Sequence, residues 1–211
     1  MATCFIVGAG DFTARELCPK PGDLLIAADG GYAPLRQLGL VPQLLLGDFD
    51  SLPGGVPDDL PSETQLICVP VEKDDTDTGL ALFQGWQRGY RQFRLYGCGG
   101  GRVDHLLANL QTMGCYAQKG ANIRLVDIGY DMYALHNGTL ILPPRPMDSL
   151  VSIFCHGDKA AGVTLEGLQY PLQNAALTCD YPLGVSNHYA SDRPKITVLD
   201  GTLIVLAEYP G

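Results

Sequence analysis

Carboxylates in this chain gather where strand-like runs stop. Leu44-Leu45-Leu46-Gly47-Asp48-Phe49-Asp50-Ser51 carries an apolar run into a glycine and then into two aspartates one residue apart. On an extended backbone residues i and i+2 point the same way, so Asp48 and Asp50 offer two hard oxygens to one divalent cation. An isolated Asp-x-Asp is also a common turn, and the pair gains meaning only from its neighbours. Lys73-Asp74-Asp75-Thr76-Asp77-Thr78 follows a second strand-like run, Leu66 to Val69, and opens a helical stretch. Capping and the helix macrodipole, worth ~0.3–1 kcal/mol per charge, account for one or two acidic residues at a helix start. Three so close together call for a compensating cation, either a divalent metal or Lys73.

One more loop suits an anion, and a further strand end adds an aspartate. Tyr96-Gly97-Cys98-Gly99-Gly100-Gly101-Arg102-Val103-Asp104-His105 reads as strand, glycine loop and helix start. Glycines let backbone amides approach phosphate, the helix start favours negative charge, and Arg102 adds bidentate recognition. His105 alone reads as a structural hydrogen-bonding residue. Ala27-Ala28-Asp29-Gly30-Gly31-Tyr32 ends another strand in an aspartate and two glycines. The loops contain no Gly-x-x-x-x-Gly-Lys-Ser/Thr, and Gly8-Ala9-Gly10 misses the dinucleotide fingerprint because Thr13 stands where its third glycine belongs. In open α/β sheets ligands bind beyond the carboxyl ends of the strands. Acidic and glycine-rich loops at four such ends point to a metal–nucleotide site that moves a phosphate-containing group.

The elements that must hold these loops follow an α/β pattern. Strand-like runs at Cys4 to Val7, Leu24 to Ala28, Leu44 to Leu46, Leu66 to Val69, Phe93 to Tyr96 and Ile123 to Asp127 lack polar alternation, as in a mostly parallel sheet covered on both faces. Helices are expected at Tyr32 to Leu38 closed by Gly39, at Asp77 to Tyr90, and at Asp104 to Lys119 closed by Gly120. Gly79 weakens the second helix and the triple glycine at 99–101 loosens its loop. Beyond about Gly129 helical periodicity disappears, which gives a Rossmann-like α/β domain over 1–128 and a smaller all-β domain over 129–211. Asn137-Gly138 and Asp200-Gly201 are expected to turn two hairpins there, Asp131–His136 with Thr139–Leu142 and Ile196–Leu199 with Thr202–Leu206.

Charge narrows the partners. The chain carries 23 acidic against 14 basic residues, a formal −9, which removes the attraction that non-specific nucleic-acid or anionic-membrane binding requires. Of those 23, 18 are Asp and 5 Glu, and 11 of the Asp fall at or before Asp104, a skew toward caps, turns and hard-metal ligation. Seven cysteines, none closer than 14 residues to the next, form no zinc or disulfide pattern and read as reduced thiols, several of them buried. With no signal-like start and no run near the ~18–20 apolar residues of a membrane span, a cytoplasmic protein is expected.

Taken in order, Ala28-Asp29-Gly30-Gly31, Gly47-Asp48-Phe49-Asp50-Ser51, Lys73-Asp74-Asp75-Thr76-Asp77 and Arg102-Val103-Asp104-His105 with Asn109 resemble the motif series of the thiamine pyrophosphokinase family. Gly167 to Leu172 and Gly184-Val185-Ser186-Asn187 resemble that family's later motifs, and the style is closest to its bacterial members. The resemblance implies an α/β domain followed by a β-sandwich, and a homodimer with the site at the subunit interface. There ATP would give its pyrophosphoryl group to the hydroxyl of thiamine, leaving thiamine diphosphate and AMP. By the same resemblance Asp48, Asp50 and Asp77 bind magnesium, and Arg102 joins them as catalytic. Asp29, Gly30, Gly31, Ser51, Lys73, Asp74, Thr76, Asp104, His105 and Asn109 surround ATP and its phosphates, and Tyr170, Ser186 and Asn187 contact thiamine. The proton of the attacking hydroxyl would pass to Asp48 or to Asp29.

Two rival readings use the same loops. In a magnesium-dependent phosphohydrolase Asp48 would be the nucleophile and Asp50 its acid/base partner. A nucleotide or thiamine sensor would keep the binding loops without turnover.

Overall fold

The structure is a computed structural model that describes residues 1–49, 56, 60–69 and 75–210. Its packing separates two compact units, one of residues 1–109 with 125–127 and one of residues 110–124 with 128–211. Among the described residues no helix is long and apolar enough to cross a membrane.

Among the described residues the first unit carries the parallel strands β1 (Thr3–Val7), β2 (Leu24–Ala28), β3 (Leu44–Gly47), β4 (Gln65–Cys68) and β5 (Gln92–Tyr96), side by side in the order β5-β1-β2-β3-β4. β2 and β3 are buried along their whole length, so unbroken apolar runs do mark doubly covered strands. β4, at the edge, is largely exposed, and its Cys68 is an exposed thiol rather than a buried one. Alternation sorts the two faces. Phe5, Val7, Leu25, Ala27 and Leu45 pack with Tyr32 and Leu35 of α1 (Tyr32–Gln37). On the other face α2 (Asp77–Gln87) lies so close that a Cβ on Gly85 would stand 2.7 Å from Cys4 Sγ and 2.8 Å from Phe93.

Among the described residues, glycine ends each of the three α-helices by one device. Leu40 N–H reaches Leu35 O at 3.0 Å, Tyr90 N–H reaches Gly85 O at 3.1 Å and Ala121 N–H reaches Tyr116 O at 2.9 Å. The glycine before each, Gly39, Gly89 or Gly120, has positive φ and donates to the carbonyl three residues back. α2 therefore stops at Gln87, three residues short of the expected Tyr90, because Gly89 is its stop. α3 runs Val103–Gln118.

The second unit departs from the expected hairpins. β7 (Tyr130–Ile141) and β11 (Lys195–Glu208) pass straight through Asn137-Gly138 and Asp200-Gly201 and pair antiparallel with each other along most of their length. The turn-forming residues make a bulge instead. Leu199 to Gly201 stand opposite Asn137, with φ +42° at Asn137 and +112° at Gly201, and Gly201 N–H donates to Asn137 Oδ1 at 2.9 Å. β8 (Leu150–Glu166) bulges at the same level beside β11, and β9 (Leu172–Thr178) and β10 (Gly184–His188) pair with β8. Residues from both sides of the bulge, Ile196 and Val198 with Leu203, Val205 and Ala207, enter one apolar core. β6 (Asn122–Val126) precedes β7, and its Arg124 lies in this unit.

Asp131 on β7 is fully buried, and its Oδ2 accepts from Arg124 at 2.7 Å and from Arg145 at 2.6 Å, the latter guanidinium lying 4.2 Å from the Tyr209 ring centroid. Removing a buried partner strands the opposite charge in low dielectric. Asp131→Ala is therefore expected to lower unfolding free energy by about 3–5 kcal/mol. Urea denaturation checks this, and a loss below about 1 kcal/mol would show that the two arginines reach water unaided.

Candidate functional site

From β1 the order runs outward through β2 to β4 on one side and to β5 on the other, so the strand order turns around between β1 and β5. A crevice opens beyond the carboxyl ends of strands at such a point. Here it is a cavity of about 650 Å³ whose lining includes Gly8, Ala9 and Gly10 after β1, Asp29 after β2, Asp48 after β3 and Gly97 and Cys98 after β5. Asp75, Thr76, Asp77 and Thr78 at the start of α2 complete its acidic side, and Arg102, His105 and Asn109 also line it.

Each group has a local reason for its place. Asp29 opens a 3-10 turn with φ +49°, an unusual angle for a residue with a side chain, and is only 6% exposed. Gly31 is needed for packing, since a Cβ there would strike Val7 O, and neither Gly30 nor Gly31 is part of the cavity lining. Thr76 is the N-cap of α2, its Oγ1 accepting from Gly79 N–H at 3.0 Å. Gly79 does more than weaken the helix. A Cβ there would collide with Asp75 Oδ1, so the glycine makes room for that carboxylate.

The glycine loop is likewise not loose. A Cβ on Gly99 would strike the Asp127 carboxylate, and one on Gly100 would strike that of Asp11. Cys98 holds the loop to its surroundings: its Sγ donates to Tyr96 O at 3.2 Å and meets Thr78 Oγ1 at 3.6 Å, and its carbonyl accepts from Asn109 Nδ2 at 2.8 Å. Burial pushes the Cys98 thiol up to about 11, with the Thr78 contact opposing, so it stays protonated near neutrality. Arg102 donates from Nε and Nη2 to Asp104 at 3.1 and 2.6 Å on an open surface. Asp104 is not part of the cavity lining.

Of the expected site residues the cavity brings together Asp29, Asp48, Thr76, Asp77, Arg102, His105 and Asn109. Asp50, Ser51, Lys73 and Asp74 lie outside the described residues. The extended backbone assumed for the Asp48–Asp50 pair is not found, because Phe49 has φ +58° and turns its ring into the core, 5% exposed. Gly8, Ala9 and Gly10 were missed for lack of a third glycine, and Asp75 and Cys98 were seen without being given a role. The signal for the first three was present as a Gly-x-Gly directly after β1.

In the second unit Tyr170, Ser186 and Asn187 form one neighbourhood. Asn187 Oδ1 accepts from Tyr170 N–H and His188 N–H, both at 2.9 Å, while its Nδ2 donates to Tyr170 O at 2.8 Å. Its amide thus fixes the backbone of Tyr170, whose own side chain is 60% exposed. Ser186, with φ +58°, is exposed, and its N–H donates to Ser152 Oγ at 3.1 Å.

Because the Arg102 guanidinium holds Asp104 down to about 2, its stabilising effect is present above the ordinary carboxylate range, about 3.9, and is lost as pH falls toward 2. In Arg102→Leu the Asp104 carboxyl is expected to titrate back near 3.9. Carboxyl-carbon NMR titration of both proteins checks this, and an unmoved midpoint would remove Arg102 as the cause.

Comparison with known proteins gives consistent matches. The family model described as thiamin pyrophosphokinase, catalytic domain, matches residues 18–125, and that described as thiamin pyrophosphokinase, vitamin B1 binding domain, matches residues 139–203. A Bacillus subtilis protein named thiamine pyrophosphokinase is 28% identical over 184 residues, covering 87% of this chain and 86% of its own. The crystal structure of thiamine pyrophosphokinase from Bacillus subtilis superposes with a TM-score of 0.84 at 25% identity, covering 99% of this chain and 100% of that one. That of a thiamin pyrophosphokinase family protein from Enterococcus faecalis gives 0.82 at 29%, with both chains covered completely.

Proposed function

Because the chain belongs to the thiamine pyrophosphokinase family, we propose that its cavity is where ATP, helped by magnesium, gives its pyrophosphoryl group to the hydroxyl of thiamine, leaving thiamine diphosphate and AMP. The observation that carries this reading is the convergence of Asp29, Asp48, Asp75 and Asp77 with two glycine loops in one cavity at the turnaround of the sheet. Carboxylates alone would repel a polyphosphate. Together with a divalent cation they receive one.

The donor set fits magnesium. Among the described residues no three acidic, histidine or cysteine side chains form a ready metal cage. Magnesium keeps several waters and binds through one or two carboxylates plus substrate phosphates, so a cage is not required. Asp48 and Asp77, together with Asp50 by the family resemblance, are the residues that would hold it, with Asp75 in support. When bound, it neutralises charge developing on the transferred group.

The chain's own groups position the reactants. Amides of the glycine loop after β5 can approach phosphate because its glycines carry no side chain. Arg102, at the cavity wall, takes a phosphate oxygen by exchanging part of its Asp104 pairing. Asp48, half-buried, is better placed than the deeply buried Asp29 to accept the hydroxyl proton.

Tyr170, Ser186 and Asn187 are read as thiamine contacts. The exposed Tyr170, Tyr181, Leu183 and Val185 around them support a homodimer in which a second copy covers this surface and completes a site at the interface. We assign 1–128 to catalysis as a Rossmann-like domain and 129–211 to thiamine binding and dimerisation as a β-sandwich, in a cytoplasmic enzyme.

The test is product analysis with ATP, magnesium and thiamine. Thiamine-dependent AMP and thiamine diphosphate are expected, whereas inorganic phosphate without thiamine dependence would favour hydrolysis. Asp77→Asn should lower kcat at least about 100-fold with an unchanged melting midpoint, and near-normal turnover would remove Asp77 from the metal site. Gly79→Ala separates stability from chemistry, because alanine favours the helix by up to ~1 kcal/mol while its Cβ displaces Asp75. A melting midpoint held or raised with turnover down at least about tenfold is expected. Unchanged turnover would show that the Asp75 carboxylate can move without consequence.

A further inference from the structure

We propose that Asp29 and Asn109 accept hydrogen bonds from the ribose hydroxyls of the nucleotide, an inference that rests on the pyrophosphokinase reading and deepens it. Both residues line the cavity and are almost wholly buried, 6% and 3% exposed. Each keeps one oxygen, Oδ1, without a hydrogen-bond partner. A buried acceptor left unpaired is costly, and two in one cavity call for donors that arrive with a ligand.

Asn109 cannot satisfy itself by turning over. The Cys98 carbonyl can only accept, so Asn109 must direct Nδ2 toward it, at 2.8 Å, and the oxygen is what remains for a ligand. Asp29 is held by its backbone at φ +49° in the 3-10 turn, and a Cβ on Gly47 would stand 3.1 Å from its Cα. Acceptor oxygens repel phosphate and suit a hydroxyl or amine. Asp29 and Asn109 are thereby moved from the phosphate end of the nucleotide, which stays with Arg102 and the loop amides.

Position in the fold selects the hydroxyls. Gly8-Ala9-Gly10 follows β1, Asp29 follows the parallel neighbour β2, and it comes 19 residues after Gly10. In nucleotide-binding units of this topology an acidic residue about 20 residues past the first glycine turn binds ribose hydroxyl. The loop and the turn share a wall here, since a Cβ on Gly30 would be 3.0 Å from Ala9 Cβ.

The experiment compares ATP, 2′-deoxy-ATP and 3′-deoxy-ATP on the full chain, first by displacement of a base-labelled fluorescent ATP analogue and then by kcat/KM at saturating thiamine and magnesium. Affinity and kcat/KM are expected to fall at least about tenfold for one or both deoxynucleotides, the effect of a buried acceptor left unpaired. In Asp29→Gly, which tolerates the positive φ, and in Asn109→Ala the ribo-to-deoxy ratio should shrink to within about threefold of unity. Equal behaviour of the three nucleotides on the native chain overturns the proposal without any variant. So does an unchanged ratio in both variants, or a change confined to the magnesium requirement or to the KM for thiamine, which would give the oxygens to metal-bound water or to thiamine. A native chain that discriminates in displacement yet makes no AMP would instead sink the pyrophosphokinase reading and leave ribose recognition standing.

Discussion

Where the strand order turns around, the segments leaving β1 and β5 run so close that Gly8, Gly10 and Gly97 have no room for side chains. Gly8 N–H donates to Tyr96 O at 2.8 Å and Gly10 N–H to Gly97 O at 2.9 Å, and a Cβ on either glycine would stand within 3 Å of Gly97 O. Part of the cavity is referenced to this crossing. The crossing holds Gly97 and Cys98, and Cys98 in turn fixes Asn109 through its carbonyl and meets Thr78 at the start of α2 through its sulfur. The two helices that carry Asp77 and Asn109 are thus indexed to the same few backbone atoms.

That indexing matters because the groups it positions repel one another. Asp75 and Asp77 sit at the start of α2, where the macrodipole offsets part of the repulsion, ~0.3–1 kcal/mol per charge. The remainder is tolerable while the carboxylates face an open cavity, and becomes favourable when a cation enters. A helix with alanine at 79 would be a better helix and would push the exposed Asp75 carboxylate from its place. The acidic wall is therefore held by backbone choices that lower local stability, a common arrangement at functional sites.

How far the sequence revealed this differs by element. The parallel strands and the loops at their ends were legible because burial on both faces leaves unbroken apolar runs, and because carboxylates and glycines concentrate directly after them. What could not be read was contact between distant loops. Gly99 and Gly100 look like flexibility in sequence, yet they are close approaches to Asp127 and Asp11, partners 28 and 89 positions away. Phe49 was misread for a related reason, since the core's demand for its ring outweighs the cost of a positive φ.

The second unit shows the same limit in another form. Asn-Gly and Asp-Gly are signals for positive φ, and a two-residue hairpin is only the commonest use of it. When the two dipeptides meet on neighbouring strands, the Asn137 side chain can cap Gly201 N–H and the pair becomes a bulge within continuous strands. Local preference was correct and its structural consequence was decided by the partner strand, as tertiary pairing decides β-structure generally. Asn187 makes the complementary point. Its position near Tyr170 is what a binding motif would require, and its amide holds the backbone of Tyr170 and His188, so it serves a ligand through the placement of that exposed ring and through the second N–H of Nδ2.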